Sequence, residues 1–310
     1  MYEKIPTKGM DTVEWLKLRK SGIGGSDAGA VCGLDPYKSP VSVFRNKTCS
    51  SVETKDNESM RQGRDLEQYV AERFSEATGL KTRRSNFMYK STRYPWMLAD
   101  ADRMVSGEDA GLECKTASAY SADKWKDGDI PLHYLMQCYH YMAVTGKKAW
   151  YIAVVILGKG FVYHRLEQDE GLISQLAETE KNFWQENVLK GRMPDPDGSK
   201  ACDEVLAQYF HAARKGTFTR LSGFDGKLDR RAEIIAQVAM LQKEQAKIEQ
   251  ELKMYMGENE TASSSRYKVS WGNVETSRLD TKRIRMEQPD IYRDYSHKRE
   301  LKKKCLKYRL

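Results

Sequence analysis

No apolar run in this 310-residue chain approaches the roughly 18 residues of a membrane-spanning helix, and residues 1–9 lack the apolar core of a signal peptide. Cysteine is sparse: six residues, at positions 32, 49, 114, 138, 202 and 305, form no C-x-x-C pair. That argues against an iron–sulfur or zinc centre, and a disulfide framework is not expected at this length. A cytoplasmic protein of a reducing compartment is the expectation. The five histidines (His133, His140, His164, His211, His297) show no paired ligand spacing, so none is assigned a role. The glycine-rich stretch from Ser21 to Ala30 has no closing Gly-Lys-Ser/Thr and is not a P-loop. Outside residues 266–310 the chain has no net charge at all.

What is present supports a packed core. Hydrophobic content is 40%, with 6 Trp, 17 Tyr and 8 Phe. Trp15, Trp96, Trp125 and Trp150 read as core or core-edge residues. The excess charge of +8 sits entirely in residues 266–310, where 14 basic residues meet 6 acidic ones. A basic tail on a neutral body points to a polyanionic partner. Lys302, Lys303 and Lys304 form its densest run.

Asp11 is a natural N-cap for a helix to residue 20, and Ser26-Asp27 can cap the one that follows the glycines. Those glycines could also let main chain approach a phosphate closely. Residues 60–78 carry Leu66, Tyr69, Val70, Phe74 and Ala77 on one stripe, with Gly79 as the stop and Glu67 beside the stripe. Strands are expected at about 81–90, 94–104 and 109–116, a helix at 131–145, a fully buried strand at 148–157, a partner strand at 161–166, and a closing helix at 170–190. The fold class is α/β, a mixed central sheet flanked by helices. Pro194-Asp-Pro196 marks a boundary, giving a body of residues 1–196 and an extension of 197–310. In the extension, Ile234, Val238, Leu241, Gln245, Ile248, Leu252 and Tyr255 keep 4-3 spacing on a long helix at about 229–256. A β-hairpin is expected to join 267–271 to 274–278 through Gly272-Asn273, followed by the basic tail.

The chemistry concentrates in Asp102 and in Glu113-Cys114-Lys115. Side chains alternate along a strand, so Glu113 and Lys115 share a face. If a hairpin brings Asp102 alongside, two carboxylates and an ammonium share one small volume. Such carboxylates repel unless a cation lies between them, and Mg²⁺, with Mn²⁺ as a substitute, prefers oxygen ligands. A metal of this kind clamps phosphodiester oxygens while a lysine acts on water. Asp100 is open to two readings, a third carboxylate or a solvated one.

Together, Trp15-x-x-Leu18-Arg19-x-x-Gly22-Ile-Gly-Gly-Ser26-Asp27, Gly63-Arg-x-Leu-Glu67, Asp102, Glu113-x-Lys115 and Tyr134-x-x-Gln137-x-x-x-Tyr141 resemble the YqaJ-type viral recombinase family. That family lies with lambda exonuclease in the PD-(D/E)xK nuclease superfamily, and the resemblance runs over about residues 10–195. It departs at Ala101, where the superfamily pattern has proline, and at Asp100. The resemblance implies Mg²⁺ ligands at Asp102, Glu113, the Cys114 carbonyl and Glu67. It implies a water-orienting role for Lys115 and a supporting one for Gln137 and Tyr134. Arg19 and Ser26 match a site for a terminal 5′-phosphate, as a guanidinium and a hydroxyl at a helix N-terminus would provide. The implied activity is 5′→3′ resection of double-stranded DNA ends, leaving 3′ overhangs for a single-strand annealing partner. It would act in the bacterial cytoplasm of a phage or prophage host, with a homo-trimer by analogy. The alternatives are an endonuclease or flap nuclease on the same fold, and a non-catalytic DNA-binding recombination factor.

Overall fold

The computed structural model describes residues 2–49, 57–210 and 216–296. The chain divides into two compact units, Met1–His211 and Ala212–Leu310.

The first unit opens with β1 (Tyr2–Pro6), α1 (Thr12–Lys20), β2 (Ile23–Gly24), α2 (Gly25–Val31), α3 (Pro40–Thr48) and α4 (Glu58–Thr78). Asp11 caps α1 by accepting the Glu14 N–H at 2.9 Å. Gly79, with φ of 73°, stops α4 in the left-handed region that glycine enters freely. Val70, Ala71 and Phe74 bury the α4 stripe, whereas Tyr69 is 44% exposed, because the buried arc is narrower than the sequence pattern implies. Ser26 does not cap α2. Gly24 precedes the helix, and Asp27 accepts the Gly24 N–H at 3.2 Å.

Two strand ribbons then carry the site. β3 (Thr82–Arg84), β4 (Phe87–Ser91), β5 (Met97–Asp100), β6 (Arg103–Val105) and β7 (Ala110–Ala117) occupy the segments expected to be three longer strands. The runs at 81–90 and 94–104 each break in two because they change sheets. β4 and β5 belong to a four-stranded sheet ordered β1-β4-β5-β2, while β3 and β6 belong to a five-stranded one. The corners are Ser85-Asn86 and Ala101-Asp102, tied by the Ser85 N–H to the Asp102 carbonyl at 3.1 Å. Asp102 therefore stands at the bend of a ribbon, directly before the strand that pairs with β7.

The five-stranded sheet is completed by β8 (Ala149–Ile156) and β9 (Gly160–Glu167), in the order β3-β6-β7-β8-β9, with β7 and β8 parallel. β8 is buried on both faces, as its near-continuous apolar sequence requires. α5 (Leu132–Thr145) covers one face, where Met142, Trp150, Ile152 and Val154 share a core. α4 covers the other, where Val70 and Phe74 meet Leu112, Tyr151 and Ala153. α6 (Glu170–Asn182) packs on α5 and runs on as a π-helical segment, Phe183–Leu189. Gly191, with φ of 64°, follows the last turn of that helix, and the proline pair at 194–196 beyond it does not end the unit. α7 (Lys200–Tyr209) buries Cys202 and holds α3 through an Arg45–Gln208 hydrogen bond of 2.6 Å. The compact body thus extends about 15 residues past the expected boundary at 196, to His211.

In the second unit, α8 (Asp225–Met256) spans 32 residues. The hairpin differs from expectation. β10 (Thr261–Ser263) pairs with β11 (Lys268–Ser270), the strand before β11 rather than the segment after Gly272. The Ser264 side chain accepts the N–H groups of Arg266 and Tyr267, making a tight turn there, and the Trp271 N–H closes onto the Glu260 carbonyl. α9 (Thr281–Glu287) and α10 (Pro289–Tyr295) follow. Lys302, Lys303 and Lys304 lie outside the described residues. No helix among the described residues is long and apolar enough to cross a membrane, and Cys32, Cys114, Cys138 and Cys202 are outside any disulfide.

Candidate active site

The pleat of β7 sets Glu113 and Lys115 on the face covered by α5. There Glu113, only 3% exposed, accepts two hydrogen bonds on one oxygen: Lys115 Nζ at 2.5 Å and Gln137 Nε2 at 2.6 Å. Its other oxygen, Oε2, is buried with no hydrogen-bond partner. Asp102 reaches the same strand from the ribbon corner and accepts the Cys114 N–H through Oδ2 at 2.8 Å. In a strand the N–H and C=O of one residue point to the same neighbour. The Cys114 carbonyl is therefore directed toward Asp102 as well.

Burial dominates the electrostatics of the carboxylate centre. Burial raises the Asp102 carboxyl well above the ordinary aspartate range, and the neighbouring Glu113 raises it further. Glu113 is raised by burial too, although Lys115 opposes the shift. Lys115 is held as an ammonium: burial disfavours its charge, but Glu113 and Asp102 outweigh that and raise it. Its Nζ lies 4.8 Å from the Tyr134 ring centre, a cation–π contact, and Tyr134 in turn stacks on Trp125. Two strained carboxylates, an orphaned buried oxygen and a nearby carbonyl suit a small divalent cation. Among the described residues no three His, Cys, Asp or Glu side chains gather into a ready ligand set, so a main-chain oxygen is needed to complete one.

Glu67 comes from α4, on the opposite face of the sheet. Its Oε1 accepts from Arg103 at 3.0 Å, and Arg84 stands 3.8 Å from Oε2. Glu67 is thus engaged by arginines, while its charge still adds to the raised values of Asp102 and Glu113. Gln137 connects the centre to the ribbon: its Nε2 also reaches the Tyr141 hydroxyl at 2.8 Å, which donates to the Asp100 carbonyl at 3.0 Å. Asp100 is half-buried rather than solvated. Burial raises it, and the Arg19 charge and a hydrogen bond from the Trp15 side chain oppose that.

Arg19 and Ser26 meet as the motif implies, with Arg19 Nη2 donating to Ser26 Oγ at 2.7 Å. Gly25 and Gly29 are required by close packing. A Cβ on Gly25 would lie 2.4 Å from the Tyr141 ring, and one on Gly29 would lie 2.6 Å from His133 Cβ. Since α2 has only seven residues, this corner depends on side-chain charge and not on a helix dipole. Rings link it to the carboxylate centre: His133 sits 4.0 Å from Tyr134 and 6.2 Å from Tyr37 between centroids. Reading the sequence missed Asp27, Lys38, Lys47 and Arg103 as site-building charges. Only Asp27 stood within a motif, and no spacing rule ties the other three to it.

A family model described as the YqaJ-like viral recombinase domain matches residues 14–148. The protein YqaJ of Bacillus subtilis (strain 168) is 35% identical over 288 residues, covering 91% of this chain and 90% of its own length. The chain belongs to the YqaJ family. That relative spans both units, so the extension carrying α8 is part of the YqaJ-family match. Among solved structures, the LHK-Exo alkaline exonuclease of Laribacter hongkongensis in complex with dAMP superposes with a TM-score of 0.50. It is 18% identical and covers 64% of this chain and 97% of that one. A phage-related exonuclease from Haemophilus somnus aligns at a TM-score of 0.41 and 10% identity, covering 57% of this chain and 99% of that one. The YqaJ-family body therefore has the mixed α/β fold of the alkaline exonuclease.

Proposed function

We propose that this YqaJ-family chain is a metal-dependent deoxyribonuclease that resects double-stranded DNA ends 5′→3′ and leaves 3′ overhangs. The observation that carries the reading is Glu113: a buried carboxylate with one oxygen held by Lys115 and Gln137 and the other unpartnered, beside a second strained carboxylate at Asp102. Asp102, Glu113 and the Cys114 carbonyl would hold Mg²⁺ or Mn²⁺, which when bound supplies Lewis-acid polarisation of the scissile phosphate. Lys115 orients the attacking water against Glu113. Tyr134 keeps the Lys115 ammonium in place from above, and Gln137 fixes the Glu113 rotamer. Glu67, with Arg103, tunes the field from the far face and is the reserve carboxylate for the metal. Arg19 and Ser26 receive the terminal 5′-phosphate, while Lys302, Lys303 and Lys304 hold the duplex through its backbone.

The 3′ overhang is the substrate of a single-strand annealing protein, the expected partner. The expected assembly is a homo-trimer around DNA in the bacterial cytoplasm, which mass measurement in solution tests. The deciding experiment digests linear duplex DNA bearing separate end labels, with a 5′-phosphate or a 5′-hydroxyl, in Mg²⁺ and in EDTA, beside a closed circle. Loss of the 5′ label first, on linear phosphorylated DNA and only with metal, is the expected result. Cutting of the circle makes the chain an endonuclease, and binding without any cleavage makes it a recombination factor. Lys115→Ala is expected to lower cleavage at least about a thousandfold while DNA binding persists, since a positioned proton-handling group contributes on that scale. Normal turnover by that variant refutes the site.

A further inference from the structure

Three cations surround one buried carboxylate at the Arg19–Ser26 corner, and they share it unequally. Lys47, its side chain 1% exposed, lies 2.7 Å from Asp27 Oδ2 and donates to the Arg19 carbonyl at 2.9 Å. Asp27 is thereby matched by one cation. Arg19 and Lys38 each stand 4.0 Å from Asp27 Oδ1, at the limit of contact. Both aim their donors at Ser26 instead: Arg19 at its hydroxyl, 2.7 Å away, and Lys38 at its carbonyl, 3.2 Å away. Neither acceptor carries formal charge. Asp100 feels the Arg19 guanidinium and is engaged by Trp15, and Asp35 is engaged by main-chain N–H groups, so neither carboxylate forms a close ion pair with Arg19 or Lys38.

Counting donors sharpens the point. Ser26 Oγ accepts from Arg19, so its own proton is free to donate outward. The remaining Arg19 N–H groups and the Ser26 hydroxyl together would serve two phosphate oxygens. An internal phosphodiester has only two such oxygens and a single negative charge. A terminal monoester has a third oxygen and, above its second pKa of about 6, close to a second charge. Lys38 stands on the other side of Ser26 with three rotatable donors and 46% of its side chain exposed. Its main chain is anchored: Asp35 Oδ1 accepts the N–H groups of Tyr37 at 2.7 Å and Lys38 at 3.1 Å, and Ser39 then caps α3.

We propose that Lys38 is a specificity-determining residue of this corner, supplying the donor and charge that a terminal 5′-phosphate monoester needs and an internal diester does not. Asp27 and Lys47 are positioning residues: their buried pair holds the Arg19 main chain, and with it the guanidinium, against Ser26. The proposal rests on the nuclease reading for its biological meaning, but its binding test does not.

Matched linear duplexes differing only in a 5′-phosphate or 5′-hydroxyl are bound in EDTA, where cleavage plays no part, by wild type, Lys38→Met and Lys38→Arg. Wild type is expected to prefer the phosphorylated end. Lys38→Met should reduce that preference about tenfold, the scale of one charge-assisted hydrogen bond, and Lys38→Arg should keep most of it. The wild-type preference should also shrink as pH falls below about 6, where the monoester gains a proton. An unchanged preference in Lys38→Met overturns the proposal. Equal weakening on both ends overturns it too, because that marks a general backbone contact. A wild type that cuts DNA with Mg²⁺ but ignores the end phosphate sinks this proposal and the phosphate role of Arg19 and Ser26, and leaves the metal-dependent nuclease reading standing. One that reads the phosphate through Lys38 yet cuts nothing upholds it and sinks the nuclease reading.

Discussion

Asp102 and Glu113 are kept in a state that the metal-free chain tolerates poorly. Burial raises both carboxyls, Glu113 raises Asp102 further, and Asp100 and Glu67 add to the rise of Glu113, so the folded state binds these protons more tightly than the unfolded one does. A raised acid favours the fold at low pH, and its cost to the metal-free protein grows as pH climbs above the unfolded value and is complete only above the folded one. Asp102→Asn removes the charge and keeps an acceptor for the Cys114 N–H. It is expected to raise the metal-free melting temperature by about 2–4 °C per kcal/mol recovered, while abolishing cleavage. Mg²⁺ should raise the melting temperature of wild type and leave Asp102→Asn unmoved. Thermal denaturation in EDTA and in Mg²⁺ checks both; an equal Mg²⁺ response in the two proteins would remove Asp102 from the ligand set.

Among the elements, α5 does the most to join the site to the fold. Tyr134, Gln137 and Tyr141, at spacings of three and four, point one way toward Lys115, Glu113 and Asp100. His140, on the same helix, is fully buried and bridges Glu180 of α6 at 2.8 Å and the Leu98 carbonyl of β5 at 2.9 Å. Both ring nitrogens face acceptors, so the pair must retain a proton. Burial alone would lower His140, but Glu180 and the Leu98 carbonyl raise it. A histidine raised in the fold contributes stability that is complete below its unfolded value, near 6.5, and is lost as pH rises through the folded value. Stability of wild type should therefore decline as pH is raised above about 6.5. Glu180→Gln satisfies a neutral His140 without proton uptake, and its denaturant midpoint should be flatter over the same range. Parallel pH profiles for the two proteins would mean that the pair does not control this titration.

At the scale of the whole molecule, the candidate site lies in the first unit and the charge excess in the second. Residues 266–310 hold the entire net charge of +8 on a chain that is otherwise neutral. Phosphate contacts from such a segment release counterions, so binding through it falls steeply with salt. Removing residues 298–310 deletes seven basic residues. The truncated chain is expected to bind duplex DNA more weakly at low salt and to show a shallower slope of log affinity against log salt, measured by anisotropy titration. An unchanged slope would exclude the tail from the DNA interface. α8 presents Ile234, Val238, Leu241, Ile248 and Leu252 at 43–64% exposure, so its apolar seam is left largely open to solvent.

The local sequence by itself determined where α1, α4 and α5 start and stop and that β8 is buried on both faces; it singled out Asp102, Glu113 and Lys115 as candidates, to which the resemblance added Gln137, Arg19 and Ser26. Caps, periodicity and short-range spacing are written in neighbouring residues, and the resemblance supplied the order of the motifs. Only the tertiary structure decided that the two long strand runs break at Ser85-Asn86 and Ala101-Asp102, that β11 pairs backward with β10, and that the body runs through α7. Sheet switching and strand pairing are settled by contacts between residues far apart in the chain, which no local pattern encodes. The charge network shows this most clearly. Lys47 meets Asp27 across 20 residues, and Arg103 holds Glu67 across 36, at positions where composition shows only ordinary surface lysine and arginine. Burial, not residue type, turns those side chains into fixed partners of carboxylates.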